Sequence, residues 1–478
     1  MSRVPIGTAA WDAAWEADLV ARLEAGDSGV VVVRRCVDAA DLIAAAEAGI
    51  IRAALISTSG RWLDLDLLDR LAGCGVAVVG VVTSEDAERR ARQLGLRRLC
   101  RPDDDARALT AAVVAALAEV RELDGRSPRD VPFDGADAGG QGADAGGQSP
   151  YSAGGRSLQP MNESGGQWVP DVGEVALPAP EPSAVDGDEP VGGRFGELVA
   201  VWGPTGAPGR TAVAIGLATE LAVLGFETLL VDADSYGGSI AQTIGLLDEA
   251  PGLVAAVRQA NAGALDVPAL ARLAPYAHPG VRVLSGIARP DRWPELRGPA
   301  LRSVYACARR LARMVVVDCG FCLEDDDELS YDTLAPRRNA ATLATLDEAD
   351  HIVAVGSADP VGVQRLLRGL DRLREIRPDP PLTVVVNKLR VGPIAGGNPE
   401  EQVRAALERY AGLRDICFVP DDRTAFDRAL ARGRTVREVA PRSSAVRAFH
   451  ALARRFAPVS PRPTHGARRR RERAVVGQ

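Results

Sequence analysis

The chain has 478 residues, 46% hydrophobic and 25% charged, a balance ordinary for globular protein and a length that calls for two or three cores. Its net charge of −7 excludes a nucleic-acid footprint spread over the whole surface. No apolar run approaches the ~20 residues that a bilayer-crossing helix needs. The start, MSRVPIGTAAWDAAWEAD, lacks a basic opening and an apolar stretch, so no signal peptide is expected. The expected location is the cytoplasm, at most peripheral to the inner face of the membrane. Among 57 basic residues only Lys388 is a lysine.

Residues 1–124 alternate short apolar runs with helical patterns. Strands are expected at Val4–Thr8, Gly29–Arg34, Ala53–Ser57, Val76–Val82 and Leu96–Arg101. Helices are expected at Trp11–Ala25, Ala39–Ala48, Leu65–Ala72, Ser84–Leu94 and Asp104–Val120. Such alternation implies a flavodoxin-like (βα)5 unit, a parallel sheet covered on both faces. The stretch resembles a response-regulator receiver, including Arg101-Pro102 where receivers carry Lys-Pro. The carboxylates of that chemistry are missing: the third strand ends Ile56-Ser57-Thr58 and the first runs into Gly7-Thr8-Ala9. The unit is either a degenerate receiver used for interaction or an unrelated flavodoxin-like module, and no phosphotransfer is expected of it.

Residues 125–195 are rich in Gly, Ala, Pro, Ser and Asp and are expected to be a disordered linker, too poor in apolar surface to order themselves. The βα rhythm resumes over 196–458, and 459–478 is an Arg-rich tail expected to be disordered. The seven cysteines show no framework spacing, and the Cys319-Gly-Phe-Cys322 pair is expected to be reduced thiol without a role.

Within 196–458 the chemistry concentrates. The buried-strand run Leu198–Trp202 leads into Gly203-Pro-Thr-Gly206-Ala-Pro-Gly209-Arg210-Thr211 and then a helical stretch to Leu224. Strand, glycine-rich turn and helix are the context of a phosphate loop. The glycines let backbone N–H groups approach phosphate, the helix N-terminus adds positive potential, and the Thr211 hydroxyl suits Mg2+. A second strand from Thr228 ends in Asp232 and Asp234, and a third, Met314–Val317, ends in Asp318. Asp232 and Asp318 are expected to hold Mg2+ and Asp234 to orient an attacking water. The glycine spacing with Asp232 also mimics a dinucleotide fingerprint, but a Tyr-x-x-x-Lys dyad is impossible because position 384, four before the sole lysine, is valine.

These three elements resemble the MinD/ParA family of deviant Walker-A ATPases, and most of all its CpaE/TadZ branch, in which a receiver-like domain comes first. The resemblance runs over 197–456. It includes Asp347–Arg374, the strand end Asn387-Lys388, and Val419-Pro420-Asp421-Asp422 with the following Ala429–Arg442. It implies a doubly wound, parallel-sheet P-loop NTPase domain that binds ATP and Mg2+. Gly203, Gly206, Gly209, Arg210, Thr211, Asn387, Pro420 and Asp421 would then contact nucleotide, with Thr211, Asp232 and Asp318 at the metal. It also implies a nucleotide-dependent homodimer acting as a spatial regulator of a cell-envelope, pilus or secretion, septum-site or partitioning machine. A protein partner would use the N-terminal domain.

The departures from the family pattern are specific. Its signature lysine, which reaches the partner's phosphates across the dimer, falls on Thr205, and its Walker lysine falls on Arg210. Pro204 and Ala207 replace glycines. Arginine keeps charge but not the compact ammonium, so hydrolysis is expected to be slow or absent, and a scaffold that never turns over is the alternative. The arginines at 462, 468–471 and 473 would add a weak contact to anionic lipid, at about 1 kcal/mol each, or to nucleic acid.

Overall fold

The computed structural model describes residues 3–10, 14–25, 29–59, 62–123, 195–206, 208–246, 251–325, 336–391 and 397–456. The expected linker (Phe195 apart) and the arginine-rich tail lie outside the described residues. The described residues hold two separate sheets.

The first sheet comprises β1 (Val4–Ala9), β2 (Val30–Arg35), β3 (Ala53–Ser57), β4 (Ala77–Val81) and β5 (Leu99–Cys100) in the order β2-β1-β3-β4-β5, every pair parallel. This is the flavodoxin-like doubly wound order. Helices Trp15–Glu24, Ala39–Glu47, Leu65–Gly73, Glu85–Gln93 and Ala106–Leu123 follow the strands in turn. Four of them start where a short polar side chain caps the first turn, the last with Asp105 accepting from the Ala108 amide. Asp38 accepts from the Asp41 amide, Asp64 from Leu67 and Ser84 from Ala87. β3 is buried throughout, as a central parallel strand must be.

The second sheet comprises β6 (Glu197–Trp202), β7 (Thr228–Ala233), β8 (Tyr276–His278), β9 (Val281–Leu284), β10 (Met314–Cys319), β11 (His351–Ser357), β12 (Leu382–Leu389) and β13 (Ile416–Pro420). Their order is β13-β12-β11-β6-β10-β7-β9-β8, parallel except for β8, which closes one edge as a hairpin with β9. Along β6, Leu198, Ala200 and Trp202 enter the core on one face and Val199 and Val201 the core on the other, the period of two that a strand imposes. The chain winds from β6 toward β7 on one side and toward β11, β12 and β13 on the other. The carboxyl end of β6 is therefore the topological switch point, where open α/β sheets leave a crevice for ligand.

Candidate functional site

The loop of residues 203–209 leaves β6 at this crevice. Each of its glycines answers a steric demand. A Cβ on Gly203 would run into the Val355 carbonyl of β11, and Gly206 and Gly209 have φ of 106° and 93°, in the region closed to ordinary side chains. Gly209 is the N-cap of the helix Arg210–Val223 and offers no side chain to it, so the N–H groups of its first turn remain for an anion.

Arg210, where the resemblance would put the Walker lysine, folds back across this loop. Its Nε donates to the Cys319 carbonyl at 3.1 Å, and Nη1 to the carbonyls of Gly203 and Pro204 at 3.2 and 3.3 Å. Nη2 pairs with Asp234 Oδ2 at 3.3 Å, the two side chains being 12% and 7% exposed. The other Asp234 oxygen accepts from the amides of Tyr236 and Gly237. The proposed water-orienting carboxylate is thus tied to the loop's own cation.

Thr211 donates its hydroxyl to Asp318 Oδ2 at 2.6 Å. Asp318 is fully buried at the end of β10, in register with Asp232 on β7, and its Oδ1 is buried with no hydrogen-bond partner among the described residues. Burial, and next the Asp232 carboxylate, push its carboxyl well above the usual range. Burial likewise pushes Asp232 up to about 7. The Asp232 oxygens accept from the backbone amides of Asp234 and Ile240, at 3.3 and 3.0 Å. Among the described residues no group of three or more His, Cys, Asp or Glu side chains forms a metal cluster. Mg2+ needs only one or two protein oxygens and completes its shell with water and phosphate. The orphaned Asp318 Oδ1 beside the Thr211 hydroxyl is the donor set that fits it.

At the other end of the loop, Asn387 of β12 is buried and donates its side-chain amide to the Pro208 carbonyl at 2.8 Å. Its donor therefore braces the loop. Lys388 follows with φ of 58°, its Cε 3.9 Å from where a Gly209 Cβ would stand. A cavity of about 320 Å³ runs along the helix Arg210–Val223, from Gly209 and Thr211 to Thr219 and Glu220, with Phe426 and Phe449 on its other wall. Pro420 and Asp421 lie at the same sheet edge, where Asp421 accepts from Arg423 and lies 3.4 Å from the Arg390 Nε. The structure thus gathers the three glycines, Arg210, Thr211, Asp234, Asp318 and Asn387 around one loop. Asp232 sits beside them with its oxygens on backbone, and Asp421 is held by arginines at the margin.

No family model matches the chain, and no curated protein matches it. Solved structures similar to it include a ParA family ATPase from Chlorobium tepidum TLS, with 16% identity, covering 54% of this chain and 98% of that one, at a TM-score of 0.45. The cell division ATPase MinD of Pyrococcus furiosus has 18% identity over 55% of this chain and 98% of its own, with a TM-score of 0.43. The Cyanothece McdA(D38A)-ATP complex has 14% identity over 56% and 99%, again with a TM-score of 0.43. Identities and scores this low leave the site to be judged on its own geometry.

That geometry separates two readings. In a dinucleotide fold the glycine-loop strand and the strand carrying the ribose-binding acid are neighbours. Here β10 lies between β6 and β7. The inserted strand brings Asp318 to the loop in place of Asp232.

Three residues escaped sequence reasoning. Tyr236 donates its hydroxyl to Asn339 at 2.7 Å and stacks 4.7 Å from Phe321. Arg338 lies over the Tyr236 ring at 4.0 Å and donates to the Ser235 carbonyl. Arg365 packs against Gly206. No local pattern could have shown these, since each partner comes from a distant segment. Cys319 is buried with its thiol pushed up, burial being the main cause, which makes it a poor nucleophile. In the first sheet, at the positions where a receiver keeps its acids, Thr58 donates to the Val81 carbonyl and Thr8 to Glu16.

Proposed function

We propose that this chain binds ATP with Mg2+ and works as a nucleotide-gated spatial regulator of the MinD/ParA/CpaE kind, with weak or absent hydrolysis. The observation that carries the reading is the Thr211–Asp318 pair with its unpartnered oxygen, set beside an uncapped helix N-terminus at the switch point. Thr211 and Asp318 would hold Mg2+, which would neutralise the phosphate oxygens. Weak turnover is supported by the absence of lysine at positions 205 and 210 and by the ion pair that holds Asp234.

The further parts of the reading follow the family resemblance. The proposed active species is a nucleotide-dependent homodimer that positions an envelope, pilus or secretion, septum-site or partitioning machine. The first sheet, as a receiver-like unit, would meet a protein partner, and the arginine-rich tail an anionic surface. Among the described residues no helix is long and apolar enough to cross a membrane. A non-enzymatic scaffold is the second reading, favoured by one observation: every nitrogen of the Arg210 guanidinium already has a protein acceptor.

Isothermal titration of ATP, ADP and NAD into the full chain with Mg2+ tests the proposal. Saturable ATP binding that weakens when Mg2+ is chelated is expected. Binding of NAD, or of none of the three, would overturn it.

A further inference from the structure

The loop faces a shortage of positive charge. A nucleoside triphosphate brings several negative charges to a site that already holds Asp232, Asp234 and Asp318. Arg210 spends its donors on three carbonyls and Asp234. Position 205, where the resembled family keeps a second lysine, is threonine.

A cation stands at this place from another element. The helix Pro360–Ile376 follows β11 and passes along the outside of the loop, so that Gly369 faces Trp202 and Pro204. One turn before Gly369 the same helix brings Arg365 against Gly206. A Cβ added there would collide with Arg365 Nη1 and would lie 3.2 Å from its Cζ. The absent side chain at Gly206 is thus what admits the guanidinium to the loop backbone. Arg365 is exposed, and among the described residues no carboxylate pairs with it at ion-pair distance. Asp359, whose carboxyl Arg365 helps to hold low, is bound first by the Ser357 side chain and also by the amides of Gly362 and Val361.

The loop has a direction. The helix N-terminus and the Thr211–Asp318 pair stand at its Gly209 end. Gly206, with Arg365 against it, lies toward the other end. We infer that Arg365 is the guanidinium that binds the terminal phosphate of the triphosphate, supplied within the same chain in place of a lysine in the loop. Arginine suits the task, because its planar fork can grip two oxygens of one phosphate while Arg210 keeps the loop closed. The inference rests on the reading of the loop as a nucleotide site.

The test is titration of ATP and of ADP, each with Mg2+, into the full-length wild type, Arg365→Ala and Arg365→Lys. Loss of a charge-assisted contact to the terminal phosphate is expected to weaken ATP about ten- to hundredfold in Arg365→Ala while ADP changes less than about twofold. Arg365→Lys is expected to recover part of the ATP affinity. Arg365 is exposed, so the melting temperatures of the free proteins should agree and exclude a folding defect. Equal weakening of ATP and ADP would mean that Arg365 only props Gly206, and unchanged ATP affinity would mean that it plays no part. Either result overturns this inference and leaves the loop a nucleotide site. A wild type that binds neither nucleotide overturns the loop reading and this inference with it.

Discussion

Replacing Asp318 by asparagine should stabilise the free protein and disable it. Asp318 is fully buried, one oxygen takes the Thr211 hydroxyl, and the other has no partner. An unpartnered buried polar atom costs about 1–3 kcal/mol, and more when charged. The asparagine carbonyl can still accept from Thr211, while the charge beside Asp232 is gone. The sign with pH follows from the raised carboxyls. A group that holds its proton more tightly folded than unfolded costs stability as pH rises between the two pKa values, at about 1.4 kcal/mol per unit. Asp232 spans the window from the usual carboxyl range to about 7, and Asp318 a window reaching well above that range.

The wild type without metal should therefore lose stability from about pH 4 upward, and Asp318→Asn should lose less. At pH 8 in chelator we expect the variant to gain about 2–3 kcal/mol, or roughly 4–10 °C in melting temperature. Saturating Mg2+-ATP, at a hundred times its Kd, should raise the wild type by about 2.7 kcal/mol and the variant by little. Thermal melting monitored from pH 5 to 9, with chelator and with Mg2+-ATP, measures both. A variant less stable than wild type at pH 8, or one that keeps the full Mg2+-ATP shift, would refute the reasoning.

Other outcomes follow from the same structure. Arg210→Ala strips the loop of its brace and leaves Asp234 buried without its cation, so the free protein should lose about 3 kcal/mol and ATP affinity should fall tenfold or more, by melting and titration. Unchanged affinity would remove Arg210 from the phosphate site. Asp234→Ala releases the guanidinium, so ATP affinity should be kept or raised while any phosphate release is lost, as a coupled phosphate assay would record. Limited proteolysis should cut between about residues 125 and 195 and leave two resistant fragments, and one resistant core spanning that stretch would contradict the domain division proposed from sequence.

Much of the fold could be read from the chain because parallel strands are buried on both faces and so announce themselves as apolar runs. β3 lies at the residues expected for it, and β1 and β4 within a residue of theirs. β5 is shorter than the expected Leu96–Arg101, since only Leu99 and Cys100 pair with β4 at the sheet's edge. The β8–β9 hairpin gave no signal: three residues of β8, with Tyr276 exposed, offer too little burial to mark a strand. The loop glycines, Thr211 and Asp318 were legible because a local backbone requirement or a strand end fixes each of them. The bonds of Arg210 and Asn387 were not. A sequence says that a donor is present, whereas the packing of β10, β11 and β12 around the loop chooses its acceptor.

The Arg210–Asp234 pair links the two chemical departures of this site into one. A lysine in a phosphate loop is a compact charge that reaches phosphate and leaves the neighbouring carboxylate free. The longer, forked arginine reaches past the loop and binds that carboxylate, so in the free protein the cation and the acid proposed to orient water are paired with each other. A phosphate entering the loop must compete with Asp234 for the guanidinium, which lowers affinity. Success in that competition releases Asp234 into a site where Asp232 and Asp318 already resist ionisation, because burial pushes both up. Under the proposed reading, occupancy by nucleotide therefore changes the hydrogen bonds of Asp234, and with them the turn through Tyr236 and Gly237 that Asp234 holds. Such a rearrangement can report the bound state to a partner without any bond of the nucleotide being broken, which is the behaviour a switch with little turnover requires.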